Sequence, residues 1–311
     1  MMRRQILIGS AGRGDPSHGD RLLIAVDVDG TLLNTEYEDR LRAREREAVL
    51  AARQAGHVVA LCTGRNSRSV AALLARSGDG LNDLPLILLN GAVVIGGTPR
   101  RQLCHYVLGQ DLLRRVVTIF RQHHAVPMVY DTEDRGGLLY HENRPTNSVL
   151  GRYLARRLQT VGAIVTVDDI LAQLPASALE VGTIDEQAKI EALTAQIRHE
   201  LADSVSVINT ESLLSRRAYR WAEVYHRDCG KGQGALLLAD AHAIDRNNIV
   251  AVGDNYNDLD LFAVASISIA MGNAPADVQA AADCVALPVT DSGAAVVLEQ
   301  IASGQLPRRV Q

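Results

Sequence analysis

Two carboxylates, Asp27 and Asp29, stand two residues apart where the apolar run 22–26 gives way to polar residues, and Gly30 and Thr31 follow at once. On an extended chain this spacing projects both side chains to one side, close enough to share a cation or to divide the roles of nucleophile and acid. Gly30 lets the backbone turn sharply after them. Two plainer readings compete. Asp-x-Asp-Gly is a common turn composition, because Asx side chains bond the backbone two residues on. Counted from Ala25, the stretch also sets Asp27, Asp29, Gly30 and Glu36 at positions three, five, six and twelve of an EF-hand calcium loop. Position one would then be alanine, which has no ligand oxygen, and a strand-like run precedes it in place of an amphipathic helix.

Further polar residues follow the ends of other apolar runs. Residues 57–62 lead into Thr63-Gly64-Arg65, and 249–252 lead into Gly253-Asp254-Asn255-Tyr256-Asn257-Asp258. Thr63 alone would read as part of a helix cap; beside Asp27 in a parallel sheet it becomes a phosphate ligand. The chain holds two lysines, Lys189 and Lys231, among 32 basic residues. Arginine therefore serves wherever a positive charge suffices, which singles out Lys231. A compact ammonium can donate to a carboxylate or phosphate oxygen in a site too crowded for the planar guanidinium. Lys189 lies in a polar stretch and reads as surface. The Gly230-Lys231 pair is not a P-loop, since Tyr225 and Gly232 stand where that loop requires Gly and Ser or Thr.

These residues need a scaffold that brings strand ends together. Apolar runs at 22–26, 57–62, 86–89, 249–252 and 267–270 lack period-two alternation, as strands buried on both faces do. Helices are expected over 39–54, from Asn66-Ser67 to Gly78, and over 233–241, and Asn90-Gly91 between apolar runs signals a hairpin. Ligands of parallel sheets bind outside the carboxyl ends of the strands, where the polar residues sit. Between 96 and 222 the pattern changes to helices near 111–123, 146–160 and 185–202 among hairpin-like strands, an α+β unit of domain size.

The totals restrict the partners. With 311 residues, two domains are affordable; 47% hydrophobic residues and a mean hydropathy of +0.01 describe a globular chain rather than a membrane one. A net charge of −4 gives no basic field for nucleic acid, so a small molecule is the expected partner. Cys62, Cys104, Cys229 and Cys284 are scattered without a Cys-x-x-Cys pair, which indicates neither zinc nor a disulfide framework and suits a cytoplasmic location. Residues 1–20 read as a flexible tail: the apolar stretch after Arg3-Arg4 is too short for a signal peptide, and its glycines precede a strand rather than the helix of a dinucleotide fingerprint.

Taken together, Asp27-x-Asp29-x-Thr31, Thr63-Gly64-Arg65, Lys231 and Gly253-Asp254-x-x-Asn257-Asp258 resemble motifs one to four of the haloacid dehalogenase superfamily of phosphatases. The Thr-Gly-Arg form, the Met271-Gly272-Asn273-Ala274 run and the α+β insert resemble its Cof-like branch, which carries a type B cap. The resemblance implies a Rossmann-like α/β core over 21–95 and 223–306 and a mobile cap over 96–222, with glycines near 96–97 and 227–230 as hinges. It implies that Asp27 attacks phosphorus to form an aspartyl-phosphate and that Asp29 protonates the leaving alcohol and then activates water. Mg²⁺ would be held by Asp27, the Asp29 carbonyl and Asp254, with Asp258 orienting its waters. Thr63, Lys231 and the amides after Asp29, at Gly30 and Thr31, would hold the phosphoryl oxygens, with Gly64, Arg65 and Asn257 completing the phosphate site. The expected substrate is a small phosphorylated metabolite, foremost a sugar phosphate. A sugar phosphomutase and a non-catalytic sensor of phosphorylated metabolites are the alternatives; a sensor would be expected to have lost a catalytic carboxylate or the lysine. Arg216, Arg217 and His226 are candidates for the leaving-group pocket.

Overall fold

The computed structural model describes residues 20–132, 137–160, 162–211 and 218–306. The tail expected over 1–20 thus lies outside the described residues except for Asp20, as do Arg216 and Arg217. In chain order the elements are β1 (Leu23–Asp27), α1 (Ala43–Gln54), β2 (Val58–Cys62), α2 (Ser67–Ser77), β3 (Leu86–Leu88), β4 (Val93–Gly96) and β5 (Arg101–His105). Then come β6 (Leu108–Gly109), α3 (Gln110–Gln122), β7 (Met128–Tyr130), β8 (Leu139–Glu142), α4 (Ser148–Thr160), β9 (Ile164–Val167), β10 (Ser177–Ala178), β11 (Glu180–Glu186), α5 (Gln187–Leu201), β12 (Val205–Glu211) and β13 (Tyr219–His226). The chain closes with α6 (Lys231–Ala241), β14 (Ile249–Gly253), α7 (Leu259–Val264), β15 (Ile267–Ala270), α8 (Ala276–Ala281), β16 (Cys284–Val285) and α9 (Gly293–Ala302).

Two compact units result. One holds the residues up to Gly64, Leu73–Cys104 and those from Gly230 onward; the other holds Arg65–Ala72 and His105–Cys229. The first is built on an eight-stranded sheet of order β16-β15-β14-β1-β2-β3-β4-β5. Pairing is parallel from β16 through β3, and β3–β4 is the antiparallel hairpin expected at Asn90-Gly91. Alternate strand residues explain the unbroken apolar runs. Leu23, Ala25, Val58 and Ala60 pack with Ala235, Leu238, Leu261 and Phe262 of α6 and α7, while Ile24, Val26, Val59 and Leu61 on the other face are equally buried. The chain leaves β1 towards β2 on one side and returns at β14 on the other. That is a topological switch point, and Asp27 and Asp254 end or follow the two strands flanking it.

The second unit is α+β. Its six-stranded sheet, β12-β13-β11-β7-β8-β9, is antiparallel except for β8–β9. Val129, Val181 and Val224 face α3 and α5, whereas Met128, Tyr130 and Ile184, at the alternate positions, pack with Val149, Leu150 and Leu154 of α4. Among the described residues, no helix is long and apolar enough to cross a membrane.

Three local expectations change. Helix α1 begins at Ala43 rather than 39, because the Leu41 amide is held by Ser77 Oγ and the preceding residues turn around Asn34. Helix α6 begins at Lys231 rather than 233. Gly230 is extended (φ −178°, ψ 146°), and the Gly232 amide, an orphan donor of the first turn, is taken by Asp260 Oδ2 at 2.9 Å. Gly96 and Gly97 lie within the first unit's sheet hairpin, not at a crossing between units. A Cβ at Gly96 would stand 2.3 Å from Leu238 Cδ2, and the Gly97 amide donates to His242 Nε2, so packing fixes the segment. The chain passes between units after Cys104 and after Cys229.

Candidate active site

Asp27 is the last residue of β1, 5% exposed, and Lys231 reaches it from the first turn of α6. Lys231 Nζ donates to Asp27 Oδ1 and to Asp258 Oδ1, each at 2.6 Å, and its side chain is fully buried. Asp258 is thereby more than the water-orienting group expected of it. Its second oxygen accepts the amides of Asp254 (2.9 Å) and Asn255 (3.0 Å), closing a capping box that fixes the turn after β14. Asp254 accepts from Thr31 Oγ1 at 3.2 Å and from Asn273 Nδ2 at 3.3 Å.

Ligand oxygens of Asp27, Asp254 and Asp258 lie within 4.8 Å of one another, all buried. Burial raises Asp27 to about 7, against the pull of Lys231 and with the further push of Asp258 and Asp29. Burial, with Asp27 and Asp258 beside it, also raises Asp254 well above the usual carboxylate range. For Lys231 burial works downwards, but Asp258 and Asp27 outweigh it and hold the ammonium charged well beyond its ordinary value. Three carboxylates facing one ammonium leave an excess of negative charge that a cation would relieve. The donor set is all hard oxygen, without His or Cys, which suits Mg²⁺, Ca²⁺ or Mn²⁺. Asp258 is held by Lys231 at 2.6 Å and by two backbone amides at 2.9 and 3.0 Å, whereas Asp254 accepts longer bonds of 3.2 and 3.3 Å from neutral side chains, so Asp27 and Asp254 are the better placed to bind the ion. A buried carboxylate set able to hold a divalent metal is present.

Asp29, half-buried, stands apart from that set. Its Oδ1 accepts from Thr35 Oγ1 at 2.5 Å and its Oδ2 from Thr63 Oγ1 at 3.5 Å. Gly30 has φ +85°, and a Cβ there would stand 2.2 Å from Asp254 Oδ2, so only glycine lets the turn close against that carboxylate. The Gly30 and Thr31 amides, expected on the phosphate, donate to the carbonyls of Leu33 (2.8 Å) and Val28 (3.4 Å). In this structure the pair shapes the loop and holds Asp254. Thr63 follows β2 and is fully buried; Gly64 ends the first unit's opening segment, and Arg65 falls in the second unit. Asn257 Nδ2 donates to Asn90 Oδ1 at 3.0 Å. His226, in the second unit, stacks on Tyr106 with ring centroids 5.8 Å apart.

Two asparagines at the site, Asn90 of the hairpin signal and Asn273 of the Met271-Gly272-Asn273-Ala274 run, were given no role there by the sequence. Asn273 Nδ2 donates to the Gly30 carbonyl at 2.9 Å as well as to Asp254, and its Oδ1 accepts the Val289 amide at 2.8 Å. Asn90 reads in sequence as a hairpin residue and is one, yet its side chain turns inward and is 1% exposed. An Asn in a turn and an Asn serving a site look alike until the fold is known.

The sequence profile of haloacid dehalogenase-like hydrolases matches residues 24–298. A 5-amino-6-(5-phospho-D-ribitylamino)uracil phosphatase of Bacillus subtilis is 26% identical over 304 residues, which cover 91% of this chain and 98% of that protein. The crystal structure of a haloacid dehalogenase-like hydrolase from Bacteroides thetaiotaomicron superimposes with a TM-score of 0.72 at 23% identity, over 91% of this chain and 100% of that one. A sugar phosphatase of subclass IIB of the same superfamily gives 0.72 at 21% identity, over 90% and 98%.

Proposed function

This chain belongs to the haloacid dehalogenase-like hydrolase family, and from that premise we propose that it is a Mg²⁺-dependent phosphatase of a small phosphorylated metabolite, of the Cof-like branch. The unit holding the aspartates is the catalytic core, and the inserted α+β unit is a type B cap. The observation that carries this reading is the buried Lys231, bridging Asp27 and Asp258 at 2.6 Å with Asp254 beside them. A structural ion pair needs no third carboxylate, whereas a phosphoryl-transfer site needs a nucleophile, a cation site and a fixed positive charge.

In the first step an Asp27 oxygen forms the bond to phosphorus as the ester bond to the leaving alcohol breaks. Asp29 gives the alcohol its proton and in the second step takes one from the water that attacks the aspartyl-phosphate, which restores Asp27. Thr35 and Thr63 fix the Asp29 carboxylate for both transfers. Lys231 favours ionised Asp27 and donates to charge that moves onto the phosphoryl oxygens. Asp27, Asp254 and the Asp29 carbonyl would hold Mg²⁺, which neutralises the charge between carboxylates and a phosphate dianion. Asn257 and Gly64 are assigned to the phosphate.

A sugar or sugar-alcohol phosphate is the proposed substrate class, supported by the ribityl phosphate and sugar phosphate named for the two relatives above. The test is release of inorganic phosphate from a panel of phosphorylated metabolites with Mg²⁺ and with excess chelator. Release from sugar phosphates that needs the metal agrees with the proposal; full activity in chelator, or no release from any ester, contradicts it.

A further inference from the structure

The turn between β3 and β4 carries more strain than a hairpin needs. Leu89, Asn90 and Gly91 have φ of 47°, 50° and 99°, three consecutive residues in the left-handed region. Asn tolerates that region and Gly favours it, but for a bulky residue such as Leu89 it is costly, and outliers of this kind persist where the surroundings over-determine them. The surroundings are the site's own elements. The Asn90 amide donates to the Thr63 carbonyl at 3.1 Å, and the Asn90 side chain accepts from Asn257 at 3.0 Å. The Gly91 backbone lies against Gly230, the residue that caps the Lys231 helix: a Cβ at Gly91 would stand 2.2 Å from the Gly230 carbonyl oxygen. One three-residue turn thus touches the Thr63 loop, the Asn257 turn and the start of α6.

We infer that Asn90 is a positioning residue for phosphoryl transfer, setting Thr63 through its backbone and Asn257 through its side chain, while Gly91 sets the depth of Lys231. The inference rests on the phosphatase reading. The Asn90 side chain holds Asn257, which is assigned to the phosphate, so its contribution falls on the phosphate contacts. Losing a partly buried amide–amide hydrogen bond, and with it the orientation of Asn257, is expected to cost about tenfold in phosphate binding.

The experiment compares the full chain with Asn90→Gly, which deletes the side chain and keeps φ free, with Asn257→Ala, and with the double variant. An aryl phosphate serves as substrate, inorganic phosphate as inhibitor and Mg²⁺ titration as the control. Asn90→Gly should raise KM and the phosphate inhibition constant about tenfold with a smaller change in kcat. The half-saturating Mg²⁺ concentration should not move, and the double variant should be little worse than Asn257→Ala. Should Asn90→Gly match wild type in both constants, should its loss simply multiply that of Asn257→Ala, or should its Mg²⁺ requirement shift equally, the positioning role is wrong while the phosphatase reading stands. A wild-type chain that neither hydrolyses the ester nor binds phosphate overturns both.

Discussion

Replacing Lys231 by arginine keeps the charge and changes only its shape, so it separates a site requirement from a charge requirement. Nζ has 2.6 Å contacts to two carboxylates, each worth about 6 kcal/mol of attraction at an effective dielectric near 20 before desolvation is counted. A guanidinium is longer and wider, and the helix that carries it cannot retreat. Gly230 and Gly232 lie so close to Asp260 that a Cβ on either would stand 2.4 Å from it, and Asp260 also holds the Gly232 amide. Arginine must therefore push Asp27 or Asp258 aside. Overpacking of this kind costs about 1–3 kcal/mol, a fall of several degrees in Tm for a chain of this size. The lost contact to developing charge should lower kcat by about 10² to 10³. From sequence alone the Tm would be expected to hold; full burial changes that. Lys189→Arg is the control, since Lys189 is an i,i+4 partner of Asp185 at 2.9 Å, 35% exposed, and should alter neither quantity measurably. Steady-state kinetics on an aryl phosphate and thermal melts decide the matter: near-wild-type kcat for Lys231→Arg would refute the crowded-ammonium argument.

The pH dependence of the metal-free protein follows from Asp27, whose folded value of about 7 lies above its ordinary 3.8. The native state then binds the proton more tightly than the unfolded chain, so stability should fall as pH rises from about 4 to 7, by about 4 kcal/mol from this group, and level off above. Mg²⁺ should raise Tm more at pH 8 than at pH 5, because it competes with that proton; melts with and without the ion measure both. Gly30→Ala should abolish the Mg²⁺-induced rise in Tm, since a Cβ would stand 2.2 Å from Asp254 Oδ2 and the left-handed φ adds about 1–2 kcal/mol of strain; a normal Mg²⁺ response would contradict the placement of Asp254. Asp29→Asn should slow both chemical steps while still allowing phosphorylation of Asp27, and single-turnover quench experiments would expose any case in which the first step is unaffected.

The parallel core was legible because its strands are unbroken apolar runs ending in polar residues, and the structure brings Asp27, Asp254, Asp258 and Lys231 together as those ends imply. Less legible was which acid pairs with the lysine. Residues 254 and 258 both follow β14, and only the capping box that turns the Asp258 side chain inward selects it over Asp254. The early start of α6 was hidden because two glycines in its first two turns argue against a helix, and the compensating acceptor, Asp260, comes from 28 residues further on. The site roles of Asn90 and Asn273 were missed for the same reason: their bonds run to Asn257 and Asp254, and no local pattern records such distances along the chain.

The central claim is that Asp27 carries the phosphoryl group, and the most direct measurement is acid quench of the full chain during turnover of a phosphate ester with Mg²⁺, followed by mass spectrometry of its peptides. The account predicts one added phosphoryl group on the peptide containing Asp27, located at that residue and missing from Asp27→Asn. A phosphoryl group on another residue, or undiminished turnover by Asp27→Asn, would contradict it.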